Sequence, residues 1–208
     1  MSNVLFIKAN DRPADQAVSV KLYDEFLKSY RETHPQDQIT ELDLFAANPP
    51  YYNSVMMTGL FKQGKGMELT AEEKAAADVA NAYLDQFLAA DKVVFAFPLW
   101  NFTIPAQLTT YLYYLCQAGK TFKYTEQGPK GLVTDKKVAL LNARGSVYSE
   151  GPMASIEMSL NYVKTIMGFI GVTDLTTVVV EGHNQFPDRN AEIVETGLRQ
   201  AAQAASTF

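Results

Sequence analysis

The chain has 208 residues, 47% hydrophobic and 20% charged, with a net charge of −5; that suits one domain over residues 1–208 with a substantial core, and excludes a disordered chain. An acidic balance without basic runs argues against nucleic acid or an anionic membrane as partner, and no apolar run approaches the about 18 residues that span a bilayer. The single cysteine, Cys116, leaves no internal disulfide, and with no recognisable signal peptide the expected location is the cytoplasm.

Val4–Ile7 (VLFI) is apolar on both faces, as in a central parallel strand covered by helices on each side. After the loop KANDRPADQAVS, a helix is expected from Ser19 to about His34, with Val20, Tyr23, Leu27 and Tyr30 on one face. Ile39–Leu44 alternates, which places it nearer a sheet edge. Residues 45–67 read as irregular and aromatic, with a short helix inside. Thr70 and Glu73 then form a capping box for a long helix to about Ala90, with Val79, Tyr83 and Phe87 as its buried stripe.

Lys92–Phe97 (KVVFAF) is a buried strand that runs into a turn holding Pro98, Trp100, Asn101, Phe102 and Pro105. A helix follows to about Gln117. GKTFKYTEQGPKGLV has the composition of an extended excursion or hairpin. Lys136–Asn142 is a strand, followed by the Gly-rich loop ARGSVYSEGP. Ile156, Leu160, Val163, Met167 and Ile170 line the next helix, LTTVVVEG forms the last strand, and a final helix runs from Asn190 to Ala205.

Five strands alternating with helices predict a three-layer α/β/α fold with a parallel sheet. A flavodoxin-like order of 2-1-3-4-5 places the switch point between the first and third strands, where ligands bind beyond the carboxyl ends. Three loops meet there. The first leads into a helix start, whose free N–H groups suit a phosphate beside Ser19, although Ser19 would equally serve as a plain cap. The second offers the flat faces of Trp100 and Phe102 and the Asn101 amide; its prolines and tryptophan would otherwise only shape a turn. In the third, Gly145 and Ser146 allow close approach of backbone to a ligand. Neither G-x-G-x-x-G nor G-x-x-x-x-G-K-[ST] is present, which disfavours dinucleotide and triphosphate loops. A flat phosphorylated ligand, flavin mononucleotide (FMN), fits all three loops.

The segments VLFIKAN…AVSVKL, DKVVFAFPLWNFTIPAQL, AGKTFKYTEQGPKGL, NARGSVYSEGP and MGFIGVTDLTTVVVEG, in this order, resemble the FMN-dependent NADH-azoreductase family of flavodoxin-like quinone reductases. The resemblance implies bound FMN, with Asn10, Ala17, Val18 and Ser19 at its phosphate, Pro98, Leu99, Trp100, Asn101 and Phe102 along its ring, and Ala143, Arg144, Gly145 and Ser146 at the far edge. It implies a homodimer with active sites at the interface, and a substrate pocket shaped by Phe102, Tyr124 and Phe169. Ala17 stands where many relatives carry Ser, and Ser146 where the usual loop reads Arg-Gly-Gly, so the phosphate site leans on backbone N–H groups. The implied reaction is ping-pong hydride transfer from NADH or NADPH, through the flavin, to quinones and azo compounds. Asn101 and Gly145 are expected to favour the reduced ring.

No nucleophile or metal motif appears, so no side chain need be catalytic beyond the flavin. His34 reads as a solvated cation at a helix end, and His183 lies at the sheet edge that carries the site. Cys116 reads as buried and inert, and Glu72 and Glu73 as cap and dipole residues. Residues 45–67 are too apolar for a solvated loop and are expected to cover a dimer interface or the pocket. Two other readings remain at this point. One is a flavodoxin-like electron carrier acting with a protein partner, which would not need the Thr121–Gly131 excursion. The other is a flavin-free binding domain on the same fold.

Overall fold

The computed structural model describes all 208 residues. Five parallel strands form the central sheet: β1 (Asn3–Lys8), β2 (Gln38–Asp43), β3 (Lys92–Pro98), β6 (Lys137–Arg144) and β7 (Asp174–Glu181). Their order is β2-β1-β3-β6-β7. Counted within this sheet alone, that is the expected 2-1-3-4-5. β4 (Phe122–Thr125) and β5 (Gly128–Gly131) form the separate antiparallel hairpin that the GKTFKYTEQGPKGLV segment suggested.

Both faces of the sheet are covered because its central strands are apolar on both sides. Leu5, Ile7, Val93, Phe95 and Leu140 point into one core with α4 (Ala71–Ala89), α5 (Ala106–Leu115) and α6 (Leu160–Ile170). Val4, Phe6, Val94, Ala139 and Leu141 point into the other, with α1 (Val18–Thr33) and α7 (Asn190–Thr207). Alternate strand residues facing opposite layers is the period-two geometry of a pleated strand.

Several boundaries differ from expectation, each for a local reason. The α1 cap is Ala17, with extended backbone and no side-chain cap bond, and not Ser19, which is the second helical residue and is buried. Residues 45–67 are more helical than their aromatic composition suggested. Asp43 caps α2 (Leu44–Ala47), and Asn53 caps α3 (Ser54–Gly64) through a bond from the Met56 N–H. The capping box of α4 is present, but its buried seam is Ala77, Ala80, Leu84 and Phe87, with Val79 and Tyr83 only half-buried. Small alanines let the helix lie close to its neighbours, and an alanine carries little periodic signal. Ile156 belongs to a 3₁₀ turn (Pro152–Ile156) ahead of α6, because the Glu157 carboxylate takes the first N–H groups of that helix. The end of α4 is closed from a distance: Lys136 Nζ donates to the Leu88 and Ala90 carbonyls.

Candidate functional site

A cleft of about 390 Å³ opens at the carboxyl edge of the sheet, where β1 and β3 are neighbours at the switch point. Other surface hollows lie elsewhere, such as the one at Asn3, Thr40 and Gln86 near the opposite edge. Asn10, Ala17, Val18, Ser19, Pro98, Leu99, Trp100, Ala143 and Gly145 all line the cleft, so three loops far apart in sequence meet in it.

At one end is the first turn of α1. Its leading N–H groups have no intrahelical acceptors, and Ala17 supplies no side-chain cap. The helix dipole adds partial positive charge there. Asn10 is buried and braces the loop from two sides: its Nδ2 donates to Ser19 Oγ at 2.9 Å, and its Oδ1 accepts from the Arg12 N–H at 3.0 Å. Arg12 and Lys21 also line this end and bring two cations, against one carboxylate, Asp15.

The β3 loop is a tight hairpin turn. Trp100 and Thr103 exchange both backbone hydrogen bonds, at 2.9 and 3.0 Å, around Asn101 (φ 46°) and Phe102 (φ 71°). Positive φ at both central residues is the turn whose twist suits a two-residue hairpin. Trp100 lines the cleft, with Phe45 of α2 packed edge-on against it at 6.1 Å. Asn101 and Phe102 stand exposed at the rim, and the Phe102 carbonyl accepts from the Met158 N–H at 2.9 Å.

The third loop is stitched to the loop after β7. The Gly145 carbonyl accepts from the Asn184 and Gln185 N–H groups at 2.9 and 3.1 Å, and Gln185 Oε1 accepts from the Val147 N–H at 2.9 Å. A Cβ at Gly145 would meet Asn184 Nδ2 at 2.8 Å, so the backbone here presents itself bare. Ser146 is half-buried behind it. The Arg144 side chain does not line the cleft; it is buried against Asn142 and Glu181.

Tyr124 and Phe169 are not in this chain's cleft. They flank Phe122 on the hairpin and α6, with centroids at 5.4 and 4.5 Å. Sequence reasoning missed Arg12, Asp15, Gln16, Lys21, Asn184, Asn190 and Val194 as lining residues. Arg12 and Gln16 sat in a loop already marked, whereas Asn190 and Val194 reach the cleft from α7, which no motif signals. His183 does line it, and Asn190 Nδ2 donates to its carbonyl at 2.6 Å. Burial, then the nearby Lys21 ammonium, pushes its imidazole below the ordinary value, so it is neutral at pH 7. His34 stacks on Tyr30 at 4.3 Å at the end of α1, away from the cleft. Cys116 is only half-buried, but burial still raises its thiol to about 11, which leaves it protonated.

An anion-accepting helix start, a flat indole wall and a bare backbone edge, all at the switch point of a doubly wound sheet, define a flavodoxin-like protein with a mononucleotide-sized cleft. Residues 2–205 match the family model described as flavodoxin-like fold. The chain is 65% identical, over the whole of both chains, to FMN-dependent NADH:quinone oxidoreductase 1 of Bacillus licheniformis. A crystal structure of azoreductase from Bacillus anthracis str. Sterne superposes with a TM-score of 0.98 at 62% identity, covering both chains fully. An FMN-dependent NADH-azoreductase from Bacillus anthracis str. Ames Ancestor, solved in complex with FMN, superposes with a TM-score of 0.90 at 30% identity, covering all of this chain and 99% of the other. The chain belongs to this family of flavodoxin-like FMN-dependent quinone oxidoreductases and azoreductases.

Proposed function

We propose that the protein is an FMN-dependent NADH:quinone oxidoreductase that also cleaves aromatic azo compounds to amines. The observation that carries this is the cleft at the switch point, in which an uncapped helix start, Trp100 and the bare Gly145 backbone converge. The N–H groups at Ala17, Val18 and Ser19 would hold the phosphate of FMN, with Asn10 fixing the loop and Arg12 and Lys21 offsetting the charge. Pro98, Leu99, Trp100, Asn101 and Phe102 would lie along the ring, and Ala143, Gly145 and Ser146 would meet its far edge. When bound, FMN would supply the two-electron redox chemistry between NADH and the acceptor. A quinone needs one such round and an azo bond two.

The protein's own residues bind, orient and shield. The Gly145 backbone in the cleft and the Asn101 amide at its rim would hold the polar edge of the ring and favour its reduced form. Phe102 at the rim closes over the exchange site for donor and acceptor. The placement of Tyr124 and Phe169, away from their own cleft, supports a homodimer in which they complete the pocket of the partner subunit. The surroundings that suit such an enzyme are cytoplasmic; no helix is long and apolar enough to cross a membrane. An electron carrier would leave the Thr121–Gly131 hairpin without a task, and the relatives are named for enzymes.

Anaerobic titration of the FMN-loaded protein with NADH tests this reading. The visible flavin band is expected to bleach within the mixing time and to return when benzoquinone or methyl red is added. Tight FMN binding with no bleaching by NADH would put the carrier ahead.

A further inference from the structure

Behind Ala143 and Gly145 lies a cluster of charged groups that does not open into the cleft. Arg144 is 4% exposed; its Nε donates to Asn142 Oδ1 at 2.6 Å and its Nη1 lies 3.3 Å from Glu181 Oε2. The same Glu181 oxygen accepts from the Tyr148 and Ser149 N–H groups at 2.9 and 3.1 Å, and the Ser149 hydroxyl donates to Oε1. Asn142 carries the chain of bonds on, donating to the Phe97 carbonyl at 3.2 Å and to Ser159 Oγ at 3.4 Å. Ser159 Oγ in turn donates to Glu157, which is 5% exposed. Burial pushes the Glu157 carboxyl up, but bonds from Ser159, Leu160 and Asn161, with the Arg144 charge nearby, outweigh it and keep it ionised.

Arg144 pairs with Glu181 and its charge also reaches Glu157, so two carboxylates stand near one guanidinium, with Glu157 further offset by the N–H groups at the start of α6. A neutral amide oxygen could accept the Tyr148 and Ser149 N–H groups, but only a carboxylate also brings a charge to this side of the cleft. We propose that Glu181 is a positioning residue: it holds residues 145–149 against the cleft and, with Glu157 and Arg144, keeps a net negative charge behind the ring position that lowers the reduction potential of bound FMN. This rests on the cleft being the FMN site. Uptake of two electrons and one proton adds one negative charge to the flavin, and a fixed negative charge close by opposes that gain. A low potential favours passing electrons onward to acceptors.

The test measures FMN dissociation constants by fluorescence and two-electron potentials by equilibration with redox dyes, in the wild type and two variants. Glu181→Gln keeps the length and an acceptor oxygen but removes the charge; its flavin is expected to reduce about tenfold more readily, about 30 mV for a two-electron couple. Glu181→Asp keeps the charge but shortens the reach; its potential is expected to stay at the wild-type value while FMN binds several-fold more weakly. An unchanged potential in Glu181→Gln, or equal shifts in both variants, overturns the inference. If Glu181→Gln does not fold, Glu157→Gln carries the same expectation, and an unchanged potential there overturns it equally. A wild-type protein that binds no FMN sinks the cofactor reading itself. Wild-type FMN binding with an unmoved potential in the variants sinks only the role of the charge.

Discussion

Phe102 is the residue whose backbone is least at ease. Its φ of 71° lies in the left-handed region, where an Asn such as its neighbour Asn101 is tolerated and an aromatic is not. Such a conformation costs about 1–3 kcal/mol and persists only when its surroundings impose it. Here the Trp100–Thr103 bonds and the Met158 N–H hold the turn from both sides. The ring gains little burial in return: it is 41% exposed and has an edge contact with Tyr148 at 6.5 Å. An exposed aromatic held in strain beside a cleft is better explained by what it touches in function than by stability. Phe102→Gly removes the strain and loosens the unfolded chain by about 0.5–1 kcal/mol, so the denaturation midpoint is expected within about 1 kcal/mol of wild type. The KM for a quinone is expected to rise by roughly tenfold, the equivalent of one aromatic contact of about 1.4 kcal/mol. A large loss of stability would show that the turn is not strained, and an unmoved KM would remove the ring from the acceptor site.

At the scale of elements, three helices begin on a carboxylate. Asp43 accepts from the Phe45 and Ala46 N–H groups at the start of α2 and pairs with Lys8 at 2.8 Å. Glu73 closes the capping box of α4 and pairs with Lys62 at 2.7 Å. Glu157 takes the first N–H groups of α6. All three carboxyls lie below their ordinary values. For Glu73 the Lys62 bond is the main cause; for Asp43 and Glu157 burial acts upward and is outweighed by their hydrogen bonds and neighbouring cations. A carboxyl depressed on folding stabilises the native state above its unfolded pKa, and that stability is lost as pH falls through the depressed folded value. Thermal stability is therefore expected to be flat between about pH 8 and 5 and to fall steeply below about pH 4, where the unfolded-state carboxyls titrate. Circular dichroism melts across this range test it, and Glu157→Gln is expected to flatten the acid limb while lowering the plateau. An acid limb identical in that variant and the wild type would show that the α6 cap is not among the groups responsible.

At the scale of the molecule, strand order and the three converging loops were legible because they rest on long apolar runs and on turn residues of unusual type. VLFI and KVVFAF can only be central strands, and Pro98 to Pro105 is too particular for a plain connection. The α4 seam was not legible, because Ala77 and Ala80 differ in no local way from the exposed alanines beside them. Nor was Arg144 beneath the cleft, since its burial depends on Glu181 across the sheet edge and not on its neighbours in sequence. The aromatic segment around residue 45 was legible in composition but not in shape, because its helices are fixed by packing on α4 and α5. That segment leads to the last expectation. Tyr51, Met57, Phe61, Met67, Tyr113, Tyr124 and Met158 are all about half or more exposed, and all belong to the α3–α6 layer and the hairpin. The α1 and α7 layer shows no comparable set. Apolar exposure confined to one face suits a covered surface, and if Tyr124 and Phe169 belong to the acceptor pocket as proposed, a second copy must supply them, since they lie outside their own cleft. The protein is expected to sediment as a dimer at micromolar concentration. Phe61→Glu is expected to shift it toward monomer with its circular dichroism intact. A wild-type monomer at that concentration would require Tyr124 and Phe169 to be dropped from the acceptor pocket.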